Sequence, residues 1–299
     1  MNILVLGGTY FIGRVLVELL LQNGHRVATL NRGTRKVNCD GATLIIADRH
    51  NQSEIESGLR GKSFDAVIDL SGYDKNDVSI VLNILGDKVA QYIFCSSIAV
   101  CCQPPVCWPI TEDHQKCSSA SESEYGYNKW LAEDYLFQYS LKSNLPVSIV
   151  RPVYVYGPCD YSGRLDYFFT RILGEQPIIM SGNGGNIIQL GYVYDLCRAI
   201  IALISNKSAY GQAFNISGRE LVTATQLVSL ISAILGKSAD VRFEAFGLVD
   251  PQGVSTITDR HRFSDISKAE KMLGIVPATS LSDGIKKTYE WWLTNRRSL

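Results

Sequence analysis

The stretch "ILVLGGTYFIGR" (residues 3–14) begins as a run of strand formers and breaks at Gly7 and Gly8. The residues beyond the break, "FIGRVLVELLLQNG" (11–24), have apolar side chains at helical spacing and a glycine stop at Gly24, the pattern of a helix with a C-terminal signal. A glycine pair between a strand and a helix has a physical use. A pyrophosphate is held by bare backbone N–H groups and the positive end of a helix, and a Cβ at the turn would hold it away. Gly7 is expected to make the tight turn, Gly8 and Thr9 to line the approach, and Gly13 to bring the helix close to the strand. The spacing is G-x-x-x-x-x-G, with Tyr10 where a middle glycine often stands. Tyr10 either packs on the adenosine side of a ligand or covers the loop.

The same plan repeats outward from this stretch. Apolar runs "NILVLG" (2–7), "HRVATL" (25–30), "TLIIAD" (43–48), "FDAVIDLS" (64–71), "QYIFCSS" (91–97) and "PVSIVRP" (146–152) alternate with helical segments. Strands apolar nearly throughout, separated by helices, mean a parallel sheet covered on both faces, an α/β, doubly wound architecture. After Pro152 the rhythm changes to loops rich in Tyr, Gly and Pro ("VYVYGPCDYSGR", 153–164), a helix from about Leu165, a glycine loop "SGNGGN" (181–186) and mixed short elements. A terminal helix within "SLSDGIKKTYEWWLTNRR" (280–297) carries an apolar stripe at Ile285, Tyr289, Trp292 and Leu293. The expected division is a dinucleotide-binding domain over 1–157 and a smaller substrate-binding lobe over 158–299, with segments returning to the first domain.

Composition narrows the function classes. The 299 residues hold 29 basic and 29 acidic side chains, a formal net charge of +0, so no field attracts nucleic acid or an anionic membrane. The first apolar segment ends at Gly7 and no later one approaches twenty residues, too short for a signal peptide or a membrane span; neither is expected, and a cytoplasmic protein is. The eight cysteines form no C-x-x-C pair and sit mostly in apolar strings, as in a reduced compartment. No metal site is expected, although Cys101, Cys102 and Cys107 lie close in sequence.

At the end of the second strand, an NAD site usually offers a carboxylate to the ribose hydroxyls. Here stand Asn31, Arg32 and Gly33, with Arg35 and Lys36 close by. An arginine pairs with a 2′-phosphate that a carboxylate would repel, so NADP is the expected cofactor, with NAD as the alternative. Asp48, ending the third strand, is placed to accept from an adenine amino group or to cap the following turn, and Arg49 comes next.

The chemical centre is "YGYNKWLAE" (125–133). Tyr125 and Lys129 share one face of a helix. A phenol titrates near pH 10, and lowering that by about three units corresponds to roughly 4 kcal/mol of differential stabilisation. An ammonium and a cationic cofactor ring favour the phenolate in that way. Ser97 lies at the carboxyl end of the fifth apolar strand, where open α/β sheets place ligands, and its hydroxyl is suited to fix a substrate carbonyl or alcohol. Ser96 is its neighbour.

With these residues in place the chain resembles the extended short-chain dehydrogenase/reductases, the NAD(P)-dependent sugar epimerase/dehydratase group. "GGTYFIG" (7–13), "FCSSIAV" (94–100), "YGYNKWLAE" (125–133), "RPVYVYGP" (151–158), "YVYDLCRAI" (192–200) and "DISKAEKMLGI" (265–275) keep that family's order over essentially the whole length. The resemblance implies a Rossmann domain with Ser97, Tyr125 and Lys129 as catalytic residues. The expected cofactor-binding set is Gly7, Gly8, Thr9, Tyr10, Phe11, Ile12, Gly13, Asn31, Arg32, Asp48, Arg49, Leu70, Ser71, Gly72, Tyr125, Lys129 and Val153. Tyr73, Ser97, Tyr154 and Arg164 are the expected substrate contacts, with Tyr156, Tyr161 and Tyr192 as further aromatics; a homodimer is permitted.

Two departures from the family pattern bear on the reaction. Family dehydratases carry an acidic pair just after the strand-end hydroxyl, where Ile98 and Ala99 follow Ser97, so a dehydratase of that kind is not expected. Many sugar-nucleotide enzymes of the group place an arginine before the "YV" strand, where this chain has Ile188 in "GGNIIQLGYVYD" (184–195); Arg164, Arg260 or Arg262 would have to compensate. The expectation is hydride transfer at a hydroxyl or keto carbon of a sugar nucleotide or related small molecule, reduction slightly favoured. The alternatives are a 4-epimerase with retained cofactor and a non-catalytic dinucleotide-sensing or RNA-binding scaffold.

Overall fold

The computed structural model describes residues 1–34, 39–160, 162–245 and 260–295; Arg35, Lys36 and Tyr161 lie outside them. The chain forms two compact units, one of 1–152, 196–216 and 265–276, the other of 153–195, 217–264 and 277–299.

In the first unit the elements alternate as the apolar runs require. They are β1 (Asn2–Leu6), α1 (Ile12–Gln22), β2 (Arg26–Asn31), β3 (Thr43–Ile46), α2 (Gln52–Leu59), β4 (Ala66–Asp69), α3 (Lys75–Leu85), β5 (Tyr92–Cys95), α4 (Glu124–Ser143) and β6 (Val147–Pro152). The remaining elements of the chain are β7 (Tyr154–Tyr156), α5 (Arg164–Leu173), β8 (Ile178–Ser181), β9 (Ile187–Tyr192), α6 (Val193–Ala202), β10 (Gln212–Ile216), β11 (Leu221–Thr223), α7 (Ala224–Leu235), β12 (Val241–Glu244), α8 (Ser267–Leu273) and α9 (Leu281–Asn295). Seven strands make one sheet in the order β10-β6-β5-β4-β1-β2-β3, all neighbours parallel. Val67, Tyr92, Phe94, Val147 and Ile149 are fully buried in its core. The strand order reverses beside β1, where β4 and β2 flank it, and in such sheets the crevice at the carboxyl ends of these strands takes the ligand.

Helix α4 packs Ala132 and Leu136 into the core and is also anchored to β6 by charge. The Arg151 guanidinium holds the Glu133 carboxylate through Nε at 3.0 Å and Nη2 at 2.6 Å, and Nη1 donates to the Glu112 carbonyl at 2.8 Å. Both side chains are almost wholly buried, at 3% and 0% exposure.

The second unit has a three-stranded sheet, β11-β9-β7, and a two-stranded one, β12-β8. Its core is aromatic: Tyr156, Phe168, Phe169 and Trp292 are buried with Ile188 and Leu190. The stripe expected on the terminal helix divides, with Ile285 and Trp292 buried, Tyr289 packed against the core and Leu293 exposed. Gly284 lets α9 approach Tyr156, whose hydroxyl occupies the space a Cβ would need. In α5, burial, reinforced by Asp160, raises the Asp166 carboxyl to about 6. Its folded form binds a proton more tightly than the unfolded chain, so the stability it confers is complete below about pH 4 and is lost as pH rises through about 6. Thermal melting across that window is expected to fall with pH, and Asp166→Asn to flatten the slope and raise stability at neutral pH.

Candidate active site

Between β1 and α1 the chain makes the turn that the glycine pair predicts. Gly7 has φ +90°, and a Cβ at Gly13 would run into the Gly7 carbonyl oxygen, so only glycine lets the helix start so near the strand. Phe11, at the N-terminal cap of α1, makes no capping side-chain hydrogen bond, which leaves the positive end of the helix uncovered by a side-chain acceptor. A cleft of about 650 Å³ opens there, lined by Gly7, Thr9, Tyr10, Asn31, Arg32, Asp48, Arg49, Ser71 and Tyr73 among others. Bare backbone, an uncapped helix start and a volume in the small-ligand range fit a dinucleotide.

The side chains at the strand ends are arranged with polarity. Thr9 Oγ1 donates to Asn31 Oδ1 at 3.3 Å, which fixes the amide so that its Nδ2 is the group left over; that atom is buried with no partner among the described residues. Arg32 is exposed beside it. Asp48 both lines the cleft and caps its own turn, Oδ1 accepting from the His50 N–H at 3.0 Å.

Arg49, expected at the cofactor, is also half of a buried ion pair. It borders the cleft, but its guanidinium turns inward to the fully buried Asp69, Nη1 to Oδ1 at 2.9 Å and Nη2 to Oδ2 at 3.0 Å. Burial opposes both charges, yet each holds the other ionised, Arg49 raised and Asp69 lowered. Tyr92 donates its hydroxyl to Asp69 Oδ2 at 2.7 Å.

Tyr125 and Lys129 lie on one face of α4, which starts at Ser123, the side chain of which accepts from the Gly126 N–H. Gly126 brings this start against the turn after β5, since a Cβ there would strike the Ala99 carbonyl oxygen. The Tyr125 ring is 44% exposed and meets Tyr73 edge-on, centroids 6.1 Å apart. Lys129 is 3% exposed, its Nζ 5.9 Å from the Tyr125 centroid and donating to Gly72 O at 2.5 Å and Cys95 O at 2.8 Å. Burial pulls its pKa below the ordinary lysine range, while Cys95 and Asp69 act against that. Ser97 Oγ accepts from the Ala99 N–H at 3.2 Å, which leaves its own O–H to donate. Ser96 Oγ is buried and has no partner among the described residues.

Leu70, Ser71 and Gly72, also expected at the cofactor, form the turn after β4. Val153 and Tyr154 open the second unit, and Arg164, at the start of α5, donates to Ser162 Oγ at 2.9 Å. Ile188 is fully buried, and its backbone bridges to Arg262, whose guanidinium lies 5.3 Å from the Tyr154 ring centroid. All eight cysteines are free, seven of them buried and Cys107 exposed. No group of metal-ligating side chains occurs among the described residues, and no described helix is long and apolar enough to cross a membrane.

Sequence reasoning missed Asp69 and Gly126. Asp69 carried a signal, a carboxylate inside the otherwise apolar run "FDAVIDLS"; Gly126 carried one too, a glycine in the first turn of the Tyr–Lys helix.

Sheet order, glycine turn and the Tyr125–Lys129 pair together define an extended short-chain dehydrogenase/reductase, and the chain belongs to the NAD-dependent epimerase/dehydratase family, whose model matches residues 3–217. It is an enzyme of that type. It is 29% identical over 96% of its length to chloroplast stem-loop binding protein of 41 kDa b from Arabidopsis thaliana, covering 78% of that protein. It is 25% identical over 99% of its length to a putative UDP-glucose 4-epimerase from Methanocaldococcus jannaschii, covering 100% of it. In fold it is similar to UDP-glucose 4-epimerase with UDP-glucose from Thermotoga maritima, with TM-score 0.86, 23% identity, and coverage of 99% of this chain and 100% of that one.

Proposed function

We propose that the protein catalyses hydride transfer at a hydroxyl- or keto-bearing carbon of a nucleotide sugar or related metabolite, with NADP as cofactor and reduction as the favoured direction. The observation that carries this reading is the buried Lys129 ammonium beside a half-exposed Tyr125, on a helix of the same unit as the uncapped helix start. A nicotinamide bound in the cleft would be the donor or acceptor of the hydride. Tyr125 passes the proton to or from the substrate oxygen, Lys129 keeps the phenol acidic, and Ser97 donates its O–H to that oxygen. The family relatives that are named as UDP-sugar enzymes support the substrate class, and Arg262, whose backbone bridges to Ile188, is a cation suited to a diphosphate. Retention of the cofactor through an epimerisation is the alternative outcome of the same site.

The test is fluorescence titration with NADPH and NADH, then nuclear magnetic resonance of products formed from UDP-sugars. Binding of neither dinucleotide overturns the reading; steady NADPH consumption supports reduction, and tightly co-purifying cofactor supports epimerisation. The Asn31 amide donor and exposed Arg32 favour a 2′-phosphate, so Arg32→Asp is expected to weaken NADPH roughly tenfold, the scale of one charge-assisted hydrogen bond, and to spare NADH. The stem-loop binding relative favours a second reading, RNA binding by the same fold, and retention of a stem-loop RNA on a filter at physiological salt is its measurement.

A further inference from the structure

Lys129 owes its position to a feature that the catalytic reading does not use. Its ammonium is held by two carbonyls, Gly72 O and Cys95 O. Cys95 ends β5 and is fixed by the sheet, but Gly72 lies in an irregular turn, Ser71–Gly72–Tyr73, whose position must be set by other contacts. Every N–H of that turn is taken by a buried carboxylate. Ser71 and Gly72 donate to Asp69 Oδ1 at 3.0 and 2.8 Å, and Tyr73 donates to Asp77 Oδ2 at 2.7 Å. Arg49 locks both acceptors, binding Asp69 bidentately, the Asp77 carbonyl at 2.9 Å and Ser71 Oγ at 2.7 Å. Gly72 admits no side chain here, because a Cβ would lie 2.9 Å from Asp69 Oδ2 and 3.3 Å from Arg49 Nη2.

We propose that Asp69, locked by Arg49, is a positioning residue for Lys129: its carboxylate clamps the turn whose Gly72 carbonyl receives the ammonium, and its charge sustains the charge on Nζ. The inference rests on the proposed hydride-transfer reading for its catalytic meaning. A buried bidentate pair also costs desolvation that an apolar pair would avoid, and a role at the adjacent lysine accounts for its presence. The groups that face Lys129 are Asp69, Arg49, Cys95 and Glu133, with the rings of Phe94, Tyr73 and Tyr125. Cys95 is an uncharged thiol at neutral pH, since burial lifts it to about 11.

The experiment follows Lys129 itself. Its side-chain titration is recorded by nuclear magnetic resonance on lysine-labelled full-length protein without cofactor, the signal identified by its loss in Lys129→Met. Asp69→Asn keeps the shape and an acceptor for the turn but removes the negative charge, so the Lys129 midpoint is expected to fall by about one pH unit, the scale for one nearby charge. Arg49→Met removes the opposing positive charge and is expected to move the midpoint up. The double variant, which restores local neutrality, is expected to return it towards the wild-type value. Shifts of the same sign in both single variants, or none in any, would overturn the proposal, because loose packing alone does not change sign with the charge removed. If Asp69→Asn does not fold, Arg49→Met and the double variant decide: an upward shift in Arg49→Met that the double variant cancels supports the proposal, and a downward shift or none in Arg49→Met overturns it. NADPH titration of the wild-type protein reports separately on the cofactor reading: a chain that binds no dinucleotide yet shows the opposed shifts keeps the positioning role and loses the proposed function.

Discussion

Replacing Tyr125 by Phe is expected to lower turnover roughly 10²–10⁴-fold, the usual contribution of a positioned proton donor or acceptor, while leaving dinucleotide affinity and melting temperature in place. The substitution deletes one oxygen from a ring that is 44% exposed and leaves the edge-on contact with Tyr73. The Lys129 ammonium keeps both carbonyl partners, since neither comes from Tyr125. Steady-state rates with NADPH and a keto substrate, beside fluorescence titration of the cofactor, measure the two quantities independently. Undiminished turnover in the Phe variant refutes the proton role. A parallel loss of binding and activity points instead to a collapsed site.

Arg151→Met is expected to cost about 3–5 kcal/mol of folding stability, the range for removing one partner of a buried ion pair. Methionine fills much of the volume, so the dominant loss is electrostatic: Glu133 is left with 0% exposure and without the guanidinium that satisfied both of its oxygens. The Glu112 carbonyl also loses one of its two donors, keeping Lys116 Nζ at 2.8 Å. Glu133 stands one helical turn beyond Lys129 on α4, so the pair sets where the face that bears Tyr125 and Lys129 lies against the sheet. Urea denaturation gives the number, and the double variant Arg151→Met/Glu133→Leu is expected to recover most of it, because the lone buried charge is then gone. A single variant within about 1 kcal/mol of the wild type, the ordinary scale of a point mutation, would contradict the account.

Much of the first unit is legible in the chain's hydrophobic pattern. Five of the strands β1 to β6 fall within an apolar run and β2 overruns its own by Asn31 alone, because strands covered on both faces are marked by continuous hydrophobicity. The helix that bears Tyr125 and Lys129 is legible from the spacing of two residues, since helical geometry puts such neighbours on one face. The second unit is legible less completely: the glycine loop 181–186 and the short strands β7, β11 and β12 have little periodicity, and the strands take their places by pairing with β9 and β8.

The sequence by itself therefore determined what depends on neighbours a few residues away: the alternation of strand and helix, the glycine turn before α1 and the shared face of the Tyr–Lys pair. Only the tertiary structure decided which charges meet. Arg49, next to Asp48 at the cleft, turns inward to Asp69; Glu133 finds Arg151 on β6; and Glu112 accepts through Oε1 from the backbone of Asn215 at 2.8 Å. A buried ion pair needs its partner within about 4 Å, and that distance is set by strand order and helix docking, which no local spacing records.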